Sequence, residues 1–267
     1  MDITATTLPD YERPPIAEVA CGVRFEPIKG FTLPHSGLYW NTIRTEFPEC
    51  QHAEPLLDPG MSVDLKTGFP LPRIWFLAPE KSALIQLQTN CFFYNWRKLT
   101  EDDTYPRFQV ISRRFGELFS GLNSFLQSSD LPRAAPTLYE LTYVNHIPRG
   151  EGWSSMEDLG NLLVDVKWNS TKARFLPVPT GISWQARFPM SSDAGALNVR
   201  LVQATRTPDS ITGLRLELQA VGNAKERSDK EMNNWFALAH EWIVRGFEDL
   251  TELRVQQEIW RKTSASK

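Results

Sequence analysis

The sequence predicts an α+β protein in which one module, strand–helix–(three to four strands)–helix, occurs twice. Its antiparallel sheet should carry helices on one face. Three observations predict this. An alternating segment, Glu18-Val-Ala-Cys-Gly-Val-Arg-Phe25, precedes Gly30-Phe31-Thr32. A second one, Glu140-Leu-Thr-Tyr-Val-Asn-His-Ile147, precedes Gly152-Trp153-Ser154. Glu18 and Glu140, Gly30 and Gly152, Phe31 and Trp153, and Thr32 and Ser154 recur at one offset, the mark of an internal repeat. Each half then runs through short alternating stretches and closes on a long segment with helical apolar spacing.

The elements follow in order. Residues 1–13 lack periodicity and run into Pro14-Pro15, so they read as a flexible arm. Ala17 to Phe25 is a half-buried strand. Thr32, with Pro34 after it, opens a helix whose stripe is Tyr39, Ile43 and Phe47, and Pro48 closes it. The signal from Leu56 to Leu65 is weak. Arg73–Ala78, Ala83–Gln88 and Cys91–Lys98 are successive strands turned at Pro79-Glu80 and Thr89-Asn90. Pro106 starts a long helix with Ile111, Phe115, Leu118, Phe119, Leu122, Phe125 and Leu126 on one face. The stiff segment Leu131–Pro136 follows.

The second half begins with a strand from Leu138 to Ile147. Ser154 and Glu157 have capping-box spacing on a short helix. Residues 165–180 are irregular and proline-rich. Ile182–Phe188, Leu197–Thr205 and Leu214–Val221 are strands. Ser228 and Glu231 form a second capping box, and Met232, Trp235, Phe236, Ala239, Trp242, Ile243 and Phe247 make the buried face of the last long helix. The organisation is an arm (1–13), repeats over 14–130 and 137–260, and a disordered tail (261–267). The element order resembles the duplicated saddle of the TATA-box-binding protein, with a helix-grip fold as the alternative. Element order carries no function with it.

Composition narrows the function classes. With 267 residues, 41% of them hydrophobic and 23% charged, the chain has ordinary globular values and length for a sizeable core. Nine tryptophans and fifteen phenylalanines predict an aromatic interior. A net charge of −3 argues against a dedicated phosphate-backbone binder, although a local basic face is compatible with it. Cys21, Cys50 and Cys91 are odd in number and far apart, and read as free thiols in a reducing compartment. The first residues lack signal-peptide character and no apolar run is long enough to span a membrane, so a cytoplasmic location is expected.

Motifs for chemistry are sparse. His35, His52, His146 and His240 have no metal-ligand spacing, and GxSxG, Walker and GxGxxG strings are absent from the sequence. No cofactor or metal is expected. His240, between Phe236 and Ile243 on an apolar face, reads as a hydrogen-bonded core histidine. Glu18 and Glu140 could act as paired acids; the preferred reading is that each bridges an arginine across the sheet.

The distinctive chemistry lies in the strands. Gln86, Gln88, Asn95 and Arg97 alternate with apolar residues, and Gln185, Arg187, Asn198, Arg200, Arg215, Glu217 and Gln219 repeat the pattern. Amides and guanidiniums on one sheet face suit planar, directional bonding to a partner. The alternative is a solvated face with cross-strand ion pairs. Arg107, at a helix N-terminus where a cation is unfavourable, needs an acidic counterpart from the protein or a partner.

Pro14-Pro-Ile-Ala-Glu18, Asn95-Trp96-Arg97-Lys98 and Tyr105-Pro-Arg107 resemble motifs of a sporadically distributed family of prokaryotic proteins. The motifs concentrate in the first hundred residues or so. The resemblance implies cassettes such as antiphage defence or toxin–antitoxin loci, and it carries no catalytic residues.

Together these features predict a non-enzymatic, protein-binding accessory or regulatory subunit of such a module, with a partner encoded beside it. The contact would comprise Gln86, Gln88, Asn95, Trp96, Arg97, Arg107, Trp184, Arg187, Arg200 and Arg215, with Tyr94 nearby. The alternative is single-stranded nucleic acid or a nucleotide on the open sheet face, stacked on aromatics.

Overall fold

A computed structural model describes residues 8–56, 72–100, 102–167, 175–206 and 211–263. Its elements are β1 (Asp10–Tyr11), β2 (Ile16–Phe25), α1 (Leu33–Ile43), β3 (Glu49–Ala53), β4 (Arg73–Leu77), β5 (Ala83–Gln88), β6 (Cys91–Arg97), α2 (Phe108–Ser128), β7 (Pro136–Pro148), β8 (Ser183–Pro189), β9 (Ala196–Arg206), β10 (Ile211–Asn223), α3 (Asp229–Leu250), α4 (Leu253–Glu258) and β11 (Lys262–Thr263). The protein is α+β, and nine of these strands form one antiparallel sheet. The chain makes two compact units. The first is Glu18–Leu141 with Gly222–Phe236; the second is Met1–Ala17, Thr142–Val221 and Ala237–Lys267. Both β7 and α3 run through the two.

In the first unit the strand order is β3-β4-β5-β6-β2-β7. The register fixes two faces, because alternate residues point to opposite sides. Val19 lies opposite Trp96, Cys21 opposite Tyr94 and Val23 opposite Phe92. These side chains are buried under helices. Phe92 meets Phe115 and Phe119 of α2 with ring centroids 6.2 and 5.8 Å apart, and Tyr39 of α1 meets Phe76 of β4 at 5.9 Å. The other face carries Glu18, Arg24, Trp75, Gln86, Gln88, Phe93, Asn95 and Arg97.

The long helices bury the stripes that their spacing predicts, except that Trp242 of α3 is only half-buried. On α2, all seven expected apolar residues are buried. The start differs: Arg107, not Pro106, is the boundary residue, with φ 75° and ψ 150°, and Pro106 lies outside the helix. On α1 the helical stretch ends at Ile43, so Phe47 is buried from the following turn, where its amide donates to the Ile43 carbonyl at 2.9 Å.

In the second unit the order is β7-β10-β9-β8. Leu197, Val199, Leu201, Leu216 and Leu218 alternate inward and are buried. Gly246 of α3 permits close approach here: a Cβ on it would sit 2.9 Å from Leu197 Cδ2. The short helix expected after Gly152-Trp153 is a single 3-10 segment, Met156–Asn161. Its capping box is Ser155 with Asp158, one residue beyond the expected pair. The Asp158 carboxylate gathers the amides of Ser154 and Ser155 at 2.9 and 2.8 Å, which the longer Glu157 one position earlier does not do.

Within the expected flexible arm and disordered tail, the described residues Asp10–Tyr11 and Lys262–Thr263 are strands instead. β1 pairs with β11 through Asp10–Thr263 and Tyr11–Lys262. Tyr11 is buried, edge-on to Phe247 at 5.6 Å and to Trp260 at 6.5 Å. Aromatic burial of this kind, worth a few kcal/mol, offsets the entropy of ordering two-residue strands. The first seven residues and residues 264–267 lie outside the described residues, as does the weak stretch beyond Leu56 as far as Leu65.

Candidate docking surface

Two polar sheet faces stand out, one in each unit. In the first unit, Gln86, Gln88 and Asn95 share one face, as their alternation predicts, but they are not open to solvent. Their exposures are 8%, 3% and 3%. Burial of primary amides is tolerated only with bonding partners, and the network supplies them. Gln86 Oε1 accepts from Arg73 Nη1 at 2.9 Å and from Trp75 Nε1 at 3.2 Å. Gln86 Nε2 donates to Asn95 Oδ1 at 2.8 Å, and Asn95 Nδ2 donates to Glu18 Oε1 at 2.5 Å. Gln88 bonds the backbone of Leu56 in both directions, 2.9 and 3.1 Å, and donates to Asn90 at 2.9 Å.

Arginines complete this face. Arg73 and Arg97 lie over the Trp75 ring, 5.5 and 5.8 Å from its centroid. Arg97 Nη2 also donates to the Lys81 carbonyl at 2.8 Å. Burial holds both guanidiniums below their ordinary pKa, and Glu18 draws Arg97 back up. Arg24 pairs with Glu140 and lies over Phe93. Glu18 stands opposite Arg97 in register. The two carboxylates are thus held by Asn95 and Arg24 respectively, as cross-strand bonding requires.

The expected grouping of aromatics with these side chains needs correction. Tyr94 and Trp96 are odd-numbered steps away from Asn95 and Arg97, so they point to the helix-covered face and are buried. Trp96 packs against Tyr105 at 5.6 Å. Arg107 is exposed, and its carbonyl accepts the amides of Val110 and Ile111 at 3.2 and 3.3 Å.

The second polar face is open. On β8, β9 and β10, register places Gln185 opposite Arg200, Arg187 opposite Asn198, Arg200 opposite Glu217, and Asn198 opposite Gln219. Gln185, Arg187 and Arg200 are exposed, and Arg215 is half-buried. Arg187 Nη1 donates to Asn198 Oδ1 at 2.8 Å, and Asn198 Nδ2 to Gln219 Oε1 at 3.4 Å. Arg215 pairs with Glu217 at 2.7 Å. These bonds fix the side chains in a row across three strands while leaving guanidinium donors facing outward. Trp184 is not in this row: it lies opposite Leu201, on the other face. β8 is the last strand in the order, with five of its seven residues exposed.

His240 is held as its apolar surroundings predict. Its Nδ1 bonds the Tyr143 hydroxyl at 3.1 Å, and burial pushes its pKa down to about 4. Among the described residues, no three His, Cys, Asp or Glu side chains converge to hold a metal ion. None of the three cysteines forms a disulfide; Cys21 and Cys91 are buried and Cys50 is exposed. No helix among the described residues is long and apolar enough to cross a membrane. The chain matches no protein-family model, and no curated protein matches it.

Proposed function

We propose that this chain is a non-catalytic binding protein that docks a protein partner on the polar face of β8, β9 and β10. The observation that carries the reading is the ordered row of Arg187, Asn198 and Gln219, flanked by exposed Gln185 and Arg200. Preorganised guanidiniums and amides bind carboxylates and main-chain carbonyls with little further ordering cost. The terminal position of β8 fits main-chain pairing with an extended, acidic segment of the partner.

In this reading the chain is an accessory or regulatory subunit of a prokaryotic multi-gene module of the defence or toxin–antitoxin kind, and its partner is encoded beside it. The repeated element order is the trace of an ancestral duplication, with the TATA-box-binding saddle or a helix grip as its architecture. The absence of a disulfide among the three cysteines fits a reducing, cytoplasmic setting. The buried amides of the first unit act as structural cross-links and not as contact residues. Single-stranded nucleic acid is the weaker ligand, because Trp184 does not share the arginine face and offers it no stacking platform.

Charge reversal tests the reading. The full chain and its Arg187→Glu/Arg200→Glu variant are tagged and recovered from the native host, and captured products of neighbouring genes are quantified. Equal thermal unfolding of the two forms is required first. Loss of one stoichiometric partner from the variant is the expected result. Equal capture by both forms, or salt-sensitive binding of single-stranded oligonucleotides in place of a protein, contradicts it.

A further inference from the structure

We infer that the first unit contains a binding site for a small organic anion, in the cavity between α2, the Arg133–Pro136 crossover and the N-terminus of α3. The cavity measures about 340 Å³, at the lower end of the range for small-molecule sites.

The key residue is Asn123, on the inner side of α2 and only 6% exposed. Its Oδ1 accepts the backbone amide of Ala134 at 2.8 Å. An amide hydrogen can be accepted only by the oxygen, so this bond fixes the side-chain orientation. Nδ2 is left as a donor without a hydrogen-bond partner among the described residues, on a residue lining the cavity. A donor so placed, reached from the cavity, can bond an acceptor that enters it.

Two further sources of positive potential face the same space. Arg133 and Arg227 are exposed and line the cavity, as do Ser228 and Asp229 at the start of α3. Ser228 caps the helix by accepting the Glu231 amide at 3.1 Å. The first amides of a helix lack intrahelical acceptors, and the helix dipole favours an anion there. The Glu231 carboxylate does not fill this role. It is spent on the amides of Lys225, Glu226 and Arg227, at 2.6, 2.9 and 2.6 Å, and on the Tyr139 hydroxyl at 3.0 Å. Those bonds hold Arg227, with φ 55°, beside the cavity.

The balance of charges and shapes limits the ligand. Asp229 faces the cavity and offsets one of the two arginines, so a ligand with one or two negative charges is matched better than a polyanion. Phe119 and Met232, both buried, supply apolar lining. The matching class is a carboxylate or phosphate monoester with a compact apolar body. Its anionic group would meet Asn123 Nδ2 and the arginines, and the body would lie against Phe119 and Met232.

Calorimetric titration of the full chain with benzoate and phenyl phosphate tests this, with benzyl alcohol and inorganic phosphate as probes lacking the anion and the apolar body. One of the two aromatic anions should bind with a dissociation constant of about a millimolar or tighter. Which of them binds distinguishes a carboxylate from a phosphate ligand. Asn123→Asp keeps the acceptor for Ala134 but replaces the donor with an anion. Arg227→Gly removes the guanidinium where positive φ suits glycine. Each should weaken binding about tenfold or more without loss of the folded state. The inference is overturned if neither aromatic anion binds the folded wild-type chain. It is also overturned if both variants bind as wild type, or if benzyl alcohol binds as well as the anions.

Discussion

The Phe93 side chain of β6 lies across Gly22 of β2, its cross-strand partner: a Cβ on Gly22 would fall 1.9 Å from Phe93 Cδ1. The glycine is therefore a steric necessity on the polar face, where the ring also supports Arg24. An aromatic covering a strand glycine restores packing that the missing side chain gives up. Gly22→Val should destabilise the chain by about 2 kcal/mol. Adding Phe93→Ala should recover part of that loss, a non-additivity readable in urea unfolding curves. Simple additivity of the two losses would contradict the contact.

The buried amide network should behave as structure. Gln86→Leu leaves the Arg73 and Trp75 donors without their acceptor in a buried setting. A loss of about 2–4 kcal/mol in unfolding free energy is expected. Partner capture per folded molecule should not change.

Protonation of His240 should govern part of the acid response. Its folded pKa of about 4 lies below the ordinary 6.5, so the unfolded chain binds more protons between those values. Its contribution is fully present above pH 6.5, falls through the window and is lost by pH 4, amounting to about 3 kcal/mol. The stability difference between wild type and His240→Gln, followed by chemical unfolding from pH 7.5 to 4, should shrink by that amount as pH falls. A difference independent of pH would rule the histidine out as the source.

Arg107 occupies backbone space that suits glycine, with φ 75° and ψ 150°. Arg107→Gly should raise unfolding free energy by about 1 kcal/mol, because strain relief exceeds the entropy added to the unfolded chain. A fall in melting temperature would show that the arginine side chain contributes more than its backbone costs.

Much of the fold was legible because burial follows period. The α2 stripe from Ile111 to Leu126 and the strands around Gln86 and Asn95 repeat at 3.6 and 2 residues. Strand β3, Glu49-Cys50-Gln51-His52-Ala53, was missed because it is a polar, largely exposed edge without alternation. Period also assigns residues to a face without saying what covers it, so Gln86, Gln88 and Asn95 read as open when they are buried. Trp184 was separable in principle: an odd number of steps from Arg187 places it on the opposite face. Asn123 had no such signal, since its chemistry arises from a crossover amide eleven residues away.

Hydrogen–deuterium exchange on the chain bound to its co-purified partner tests the docking surface most directly. New protection on the amides of Ser183–Pro189, with weaker protection on Ala196–Arg206, is the predicted result. Protection confined to α1 and α2, with β8 exchanging as in the free chain, would contradict it.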